Sequence, residues 1–356
     1  MVSRSVSQEK FRLPWLGRVC DRGGASAQPP RVNRRTRRVQ SVSLVDAPIV
    51  ARVVRQGFVE SLHRGLAVIT APDGSVERAW GDPATPVFPR SSLKPLQAIA
   101  SLRSGAPLRD QALALACASH SGEAWQMAGV RASLAASGLT VDALGNTPGQ
   151  PIGEHALQVW LAAGYGEERI AQNCSGKHAG FLRACVASGW SLGDYLDPAH
   201  PLQEAVVQVI ADYADEPIVA TAVDGCGAPV HAFALTGLAR AFGRMAAAQE
   251  GEAEAVAHAM HSFPFYVGGP RRPDSELMAA VPGVIAKEGA EAVFAVGLPD
   301  GRGVAVKIAD GSRAGRVVAA AALRYCDVDP RALDKLGDIP VLGHGERVGA
   351  VEATLD

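Results

Sequence analysis

The chain has 356 residues, 47% of them hydrophobic and 20% charged, which is an ordinary globular balance with enough core for one or two domains. The formal net charge of −1 hides an asymmetry: residues 1–45 hold ten Lys/Arg against two Asp/Glu, so the rest is acidic by nine charges and is a poor partner for nucleic acid. No apolar run approaches the roughly 20 residues that span a bilayer, and six cysteines (Cys20, Cys117, Cys174, Cys185, Cys226, Cys326) are too few for a disulfide scaffold, so they read as reduced thiols of a cytoplasmic protein.

Residues 1–46 form a basic segment containing Arg34-Arg35-Thr36-Arg37-Arg38. It lacks helical or strand periodicity, and Gly23-Gly24 and Pro29-Pro30 interrupt it. It also lacks the apolar stretch that a secretory signal needs after its basic part. It reads as a disordered extension, with an RNA- or anion-binding tail as the alternative, and leaves 47–356 as the folded domain. Order begins near Pro48. Ile49 to Glu60 reads as a strand, and Gly65–Thr70 and Ser75–Trp80 read as a hairpin around Pro72-Asp73-Gly74. After Pro86-Val87 the period becomes helical from Ser92 to Ser104. Helical patterns follow at about 108–117, 122–137, 154–163, 174–189, 201–214 and 231–249. Strands return at 292–297 and 303–308, joined by Pro299-Asp300-Gly301-Arg302-Gly303. An alanine-rich helix at about 313–325 and a short strand pair close the chain. Strands at both ends thus bracket a helical middle. The expected class is α+β: one antiparallel sheet with helices packed on it, and the central helices forming a second lobe.

Four segments carry candidate chemistry. The first, Phe88-Pro89-Arg90-Ser91-Ser92-Leu93-Lys94-Pro95, places a hydroxyl and an amine three residues apart at the start of a helix. There the two share a face, and a partly desolvated Lys94 can serve Ser91 as base. Ser-x-x-Lys is the spacing of serine acyl-transfer enzymes that use no histidine. The second is Cys117-Ala118-Ser119-His120-Ser121-Gly122-Glu123, in which Ser119 is either a second hydroxyl of the same pocket or, like Ser121, a helix cap. The third pairs Asn173-Cys174-Ser175-Gly176-Lys177-His178-Ala179-Gly180 with Asp224-Gly225-Cys226-Gly227-Ala228-Pro229. Cys174 and Cys226 could hold zinc, with Lys177 or His178 completing the site, or they could be small buried hydrophobes. A lysine must lose its proton before it binds a metal. Cys174 beside Lys177 and His178 is also a conceivable nucleophile. The fourth is Lys287, just before the strand at 292–297; it points into a cleft or lies on the surface beside Glu288.

Together, P-R-S-S-L-K-P at 89–95, C-A-S-H-S-G-E at 117–123, N-C-S-G-K-H-A-G at 173–180, D-G-C-G-A-P at 224–229 and V-I-A-K-E-G at 284–289 resemble the rhizobial-type L-asparaginases, also called asparaginase II or thermolabile asparaginases. The resemblance covers about residues 47–355. It implies a fold like that of serine β-lactamases and glutaminases, and hydrolysis of L-asparagine to L-aspartate and ammonia by a homodimer. It implies Ser91 and Lys94 as one Ser–Lys pair, and Ser119 and Lys287 as a second. It also implies Arg90, His178 and Asp224 at the substrate, and a zinc held by Cys174, Lys177, Cys226 and a water. That zinc is expected to tune substrate binding and not to be strictly catalytic. Near the family's non-ligand cysteine this chain departs, reading Arg272-Pro273-Asp274-Ser275, which bears on the choice between asparagine and related amides. Two alternatives stand beside this reading. One is a β-lactamase or penicillin-binding enzyme, against which the missing S-D-N and K-T-G elements count. The other is an inactive, zinc-holding binding protein.

Overall fold

The computed structural model describes residues 44–355, all within the unit Val42–Asp356. The basic extension expected over 1–46, with its arginine cluster, lies outside the described residues as far as residue 43. The first strand differs from expectation. Ile49–Glu60 is not one strand, because the chain reverses at Gln56-Gly57, both at positive φ (48° and 82°). That is the geometry of a tight two-residue hairpin. It separates β1 (Ile49–Arg55) from β2 (Phe58–Thr70). The predicted hairpin at Pro72-Asp73-Gly74 is present and joins β2 to β3 (Val76–Trp80). After β4 (Pro86–Val87), a 3-10 turn over Arg90–Leu93 leads into α1 (Lys94–Arg103), with Pro95 in the first turn where its missing N–H costs nothing.

The middle of the chain is helical, as its periodicity predicts: α2 (Asp110–Ala116), α3 (Ala124–Ala135), α4 (Glu154–Ala162), α5 (Ser175–Ser188) and α6 (Pro201–Ala214). The pattern at 231–249 is corrected. Its first residues belong to β6 (Pro229–Ala234), which pairs with β5 (Ala220–Val223) and β4, and only Leu235–Ala246 is helical (α7). All six residues of β6 are buried, and such a short apolar run is not separable from a buried helix by period alone. Three helices without a strong pattern follow: α8 (Gly251–Ser262), α9 (Pro264–Val267) and α10 (Pro273–Ala280).

Then come β7 (Ile285–Gly289), β8 (Val293–Gly297), β9 (Gly303–Ile308), α11 (Gly315–Leu323), α12 (Pro330–Gly337), β10 (Pro340–Gly343) and β11 (Glu346–Ala353). The main sheet is antiparallel in the order β10-β11-β1-β2-β9-β8-β7, with β3 added on β2. The first and last strands of the described segment therefore meet in one sheet, as expected. Every residue of β8 is buried, so both faces are covered; α7 and α11 are the helices packed there. Gly297 and Gly303 face each other across β8 and β9, and a Cβ on either would overlap the α7 backbone at Phe242 or Ala239. Glycine at this pair lets α7 dock directly on the sheet. In the helical lobe, α1 is buried on all sides from Lys94 to Ser101, with α5, α6 and α8 around it. Among the described residues, no helix is long and apolar enough to cross a membrane.

Candidate active site

The site forms where the start of α1 meets β7, the loop after α2, the start of α5 and the turn between β5 and β6. Arg90 opens the 3-10 turn at φ 54°, a left-handed conformation that is uncommon for a side chain of its size. The turn is pinned from behind. Ser92 Oγ donates to the Lys287 carbonyl at 2.9 Å, and Gly289 packs so closely that a Cβ would overlap the Pro89 carbonyl. Sequence reasoning passed over Ser92 because its neighbour Ser91 had the motif. Ser91 itself is half-buried, and its hydroxyl makes no hydrogen bond among the described residues.

Lys94 is 1% exposed. Its ammonium donates to the Ala118 carbonyl at 2.6 Å and to Ser119 Oγ at 2.9 Å. The lysine of the Ser-x-x-Lys segment therefore bonds the second serine, not Ser91. Burial pushes its pKa down; Lys177 and Lys287 add to this, while Cys174 and Cys226 oppose it. Ser119 does not cap a helix. The N-cap of α3 is Glu123, which exchanges side-chain bonds with Gln126, and Ser119 is held by its own N–H on the Val267 carbonyl at 2.9 Å. His120 fixes the same loop to α5. Its Nδ1 accepts from the Gly122 N–H at 3.1 Å, which leaves the proton on Nε2 facing Ser175 Oγ at 2.7 Å. Burial lowers its pKa to about 3, so it is neutral.

Lys287 lies inside β7 and not ahead of a strand, because the pattern hid a strand in Ile285–Gly289. It is fully buried. The structure does not pair it with Ser119: its ammonium donates to Asp274 Oδ2 at 2.8 Å and to the Glu288 carbonyl at 2.9 Å. Asp274 also accepts from the Ser275 N–H at 3.0 Å and the Glu288 N–H at 3.2 Å. Although burial opposes it, the charges of Lys287 and Arg272 hold the Asp274 carboxyl below its ordinary pKa. Thirteen residues and a change of element separate Asp274 from Lys287, so no spacing rule could join them. Cys117 lies near both lysines, and burial raises its thiol to about 12.

Cys174, Lys177 and Cys226 meet. Lys177 Nζ donates to Cys226 Sγ at 3.1 Å and the Cys174 thiol to Asn173 Oδ1 at 3.3 Å, and the interaction of the two sulfurs drives Cys174 well down and Cys226 up. Among the described residues, no three His, Cys, Asp or Glu side chains converge as a metal site. A metal here therefore depends on the Lys177 amine. The donors fit zinc in kind, with two buried sulfurs and one nitrogen, but burial cannot free that amine, because Cys226 and Cys174 more than offset it and raise the Lys177 pKa. Metal would have to displace that proton.

The three residues expected at the substrate are close to this cluster. Arg90 Nε donates to Asp224 Oδ1 at 2.8 Å. Burial opposes it, but the Gly225 N–H and Arg90 keep the Asp224 carboxyl below its ordinary pKa. His178 Nδ1 meets the Tyr195 hydroxyl at 2.7 Å, and that hydroxyl accepts from the Gly145 N–H at 2.8 Å. The tyrosine therefore donates to Nδ1, and the proton of the neutral imidazole is on Nε2, a buried nitrogen with no partner among the described residues. Two surface cavities, of about 730 and 490 Å³, are not lined by Ser91, Lys94 or Ser119. Lys94 and Ser119 are buried, and Ser91 is the most accessible of these serine hydroxyls.

The sequence model of the L-asparaginase II family matches residues 51–353. Among curated proteins none matches. Among solved structures, the chain is similar to a β-lactamase from Mycobacterium bovis at 18% identity and a TM-score of 0.42, covering 79% of this chain and 97% of that one.

Proposed function

Since the chain belongs to the L-asparaginase II family, we propose that it hydrolyses the side-chain amide of L-asparagine to L-aspartate and ammonia by acyl transfer through serine. The observation that carries the reading is the buried Lys94 ammonium, bonded to Ser119 one helical turn from the unbonded hydroxyl of Ser91. Ser91 attacks the amide carbon while Lys94, in its neutral form, takes the hydroxyl proton. Ser119, already in contact with Lys94, passes a proton to the departing nitrogen. The carbon–nitrogen bond breaks and leaves an aspartyl ester on Ser91. Water then attacks the ester, giving up its proton along the same path, and releases aspartate. Backbone N–H groups near Ser91 at the start of α1 favour the negative oxygen of each tetrahedral intermediate.

The Arg90–Asp224 pair supports an α-amino acid as substrate. An ion pair offered at a partly buried surface is complementary to a zwitterion: substrate carboxylate exchanges onto Arg90 and the His178 Nε2–H, and substrate ammonium onto Asp224. Zinc on Cys174, Lys177 and Cys226 would supply positive charge at the substrate end of the site. Metal analysis of the purified chain and its Cys226→Ala variant checks this; equal content in both removes the assignment.

Ammonia release from L-asparagine by the full chain tests the function. Ser91→Ala is expected to lower kcat by about a thousandfold or more. Near-normal turnover would remove Ser91 as nucleophile. Failure of asparagine, glutamine and a β-lactam reporter alike would favour the binding-protein reading.

A further inference from the structure

Two buried lysines approach the serines, and they are built differently. Lys94 bonds a carbonyl and a hydroxyl, with no carboxylate among its partners. Lys287 bonds a carboxylate, and neither member of that pair has any side-chain exposure. We propose that Asp274 is a positioning residue that holds Lys287 as a fixed ammonium, so that Lys287 serves the reaction as a stationary positive charge and not as a proton carrier. The part concerning catalysis rests on the amidohydrolase reading; the charge state of Lys287 does not.

The geometry commits Asp274 to the charged form. Its two oxygens accept the Ser275 and Glu288 N–H groups as well as the Lys287 ammonium. It occupies the first turn of α10, just after Pro273, where the helix end favours negative charge. A neutral Lys287 would leave this carboxylate without its counter-charge in a dry interior. The ammonium is also aimed. Asp274 and the Glu288 carbonyl take two of its three donors, which fixes its orientation beside Lys94. Its strand is fastened to the Ser91 turn by Ser92 Oγ on the Lys287 carbonyl. The charged or titratable groups facing it are Asp274 from α10 with Arg272 just before it, Lys94 from α1, Cys117 at the end of α2, and Glu288 on its own strand, itself paired with Arg272 at 2.8 Å. Of these, Asp274 is the carboxylate in hydrogen-bond contact with the ammonium.

Lysine-selective NMR of the full chain, titrated with pH and with Lys287 assigned through Lys287→Arg, reads the charge directly. At pH 7 the wild-type Lys287 signal is expected to be that of an ammonium ion-paired with Asp274. In Asp274→Asn, which removes the counter-charge, the same signal at pH 7 is expected to change toward that of an amine, and in Asp274→Glu to return toward wild type. A wild-type Lys287 neutral at pH 7, or a Lys287 signal unchanged by Asp274→Asn, overturns the proposal. In the ammonia assay, Asp274→Asn is expected to lower kcat about a hundredfold with KM little changed and to displace the pH profile. An unchanged kcat and profile, with Lys287 shown to lose its charge, overturns the stationary-charge role. If the wild type releases no ammonia, the amidohydrolase reading fails, and with it the catalytic part, while the NMR still decides the charge state. The wild-type spectrum and Asp274→Glu keep the question answerable if Asp274→Asn does not fold.

Discussion

Gly289→Ala probes how tightly the Ser91 turn is set. The position is at the end of β7 with an ordinary backbone, so alanine brings no conformational strain and only steric contact is added. The new methyl would stand 2.9 Å from Ser92 Oγ and 3.2 Å from Ser92 N, and would overlap the Pro89 carbonyl. Ordinary contact begins near 3.5 Å, so the turn or the strand must withdraw by roughly half an ångström or more. Forcing a methyl into packed structure costs about 1–3 kcal/mol, a Tm drop of a few degrees for a chain of this size. The effect on turnover should be larger. The displaced atoms flank Ser91, and a misplacement of about 1 Å near a reacting group costs roughly a hundredfold in rate. The assay is ammonia release with kcat and KM separated, beside a thermal melt of the same preparation. A variant that melts within about a degree of wild type and keeps its kcat would refute the claim that Gly289 sets the turn. A large stability loss with kcat intact would show that the strand, not the turn, gives way.

His120 is buried neutral with its pKa lowered to about 3, and burial and Lys177 lower His178 in the same direction. The unfolded chain therefore binds more protons below about pH 6.5, and stability falls as pH drops from there toward 3, by up to about 1.4 kcal/mol per unit for each histidine. Urea midpoints of His120→Gln between pH 7 and pH 5 should show a clearly shallower decline than wild type; an equal slope would count against a neutral His120. Arg90→Lys keeps the charge but loses the planar fork, so KM for asparagine should rise about tenfold or more while kcat stays within about threefold. Steady-state kinetics checks this, and an unchanged KM would remove Arg90 from substrate recognition.

The sequence made the sheet and the helical lobe legible where patterning was strong. The hairpin at Pro72-Asp73-Gly74, the helix over Pro201–Ala214 and the terminal strands that meet in one sheet follow from turn chemistry and period. It failed where a strand is short and buried on both faces. In Pro229–Ala234 and Ile285–Gly289, burial erases the alternation that marks a strand, leaving an apolar run or a lone lysine without a period. Much of the candidate cluster was visible because its residues fall in short dense motifs. Asp274 was not legible as a partner, because an ion pair between a helix and a strand leaves no spacing in the chain.

The two Ser–Lys pairings show why motif spacing and contact differ. Positions three apart share a face in an α-helix and eclipse in a 3-10 helix, but a shared face does not fix the hydrogen-bond partner. Ser91 is in a 3-10 turn that begins with left-handed Arg90, and Lys94 is the first α-helical residue. Ser91 and Lys94 therefore straddle a change of helix type, and the ammonium finds the Ala118 carbonyl and Ser119 on the loop after α2. That displacement has a chemical consequence. If Lys94 bonded both serines in the resting state, Ser91 would already be engaged; as built, its hydroxyl is free to meet a substrate carbonyl, and Ser119 keeps the lysine in place. With Lys287 bonded to Asp274, Lys94 is, among the described residues, the lysine whose ammonium bonds a serine hydroxyl, and the proposed proton route runs through Ser119. In the mechanism proposed above, two serines would serve one lysine in sequence, one taking the acyl group and the other returning the proton.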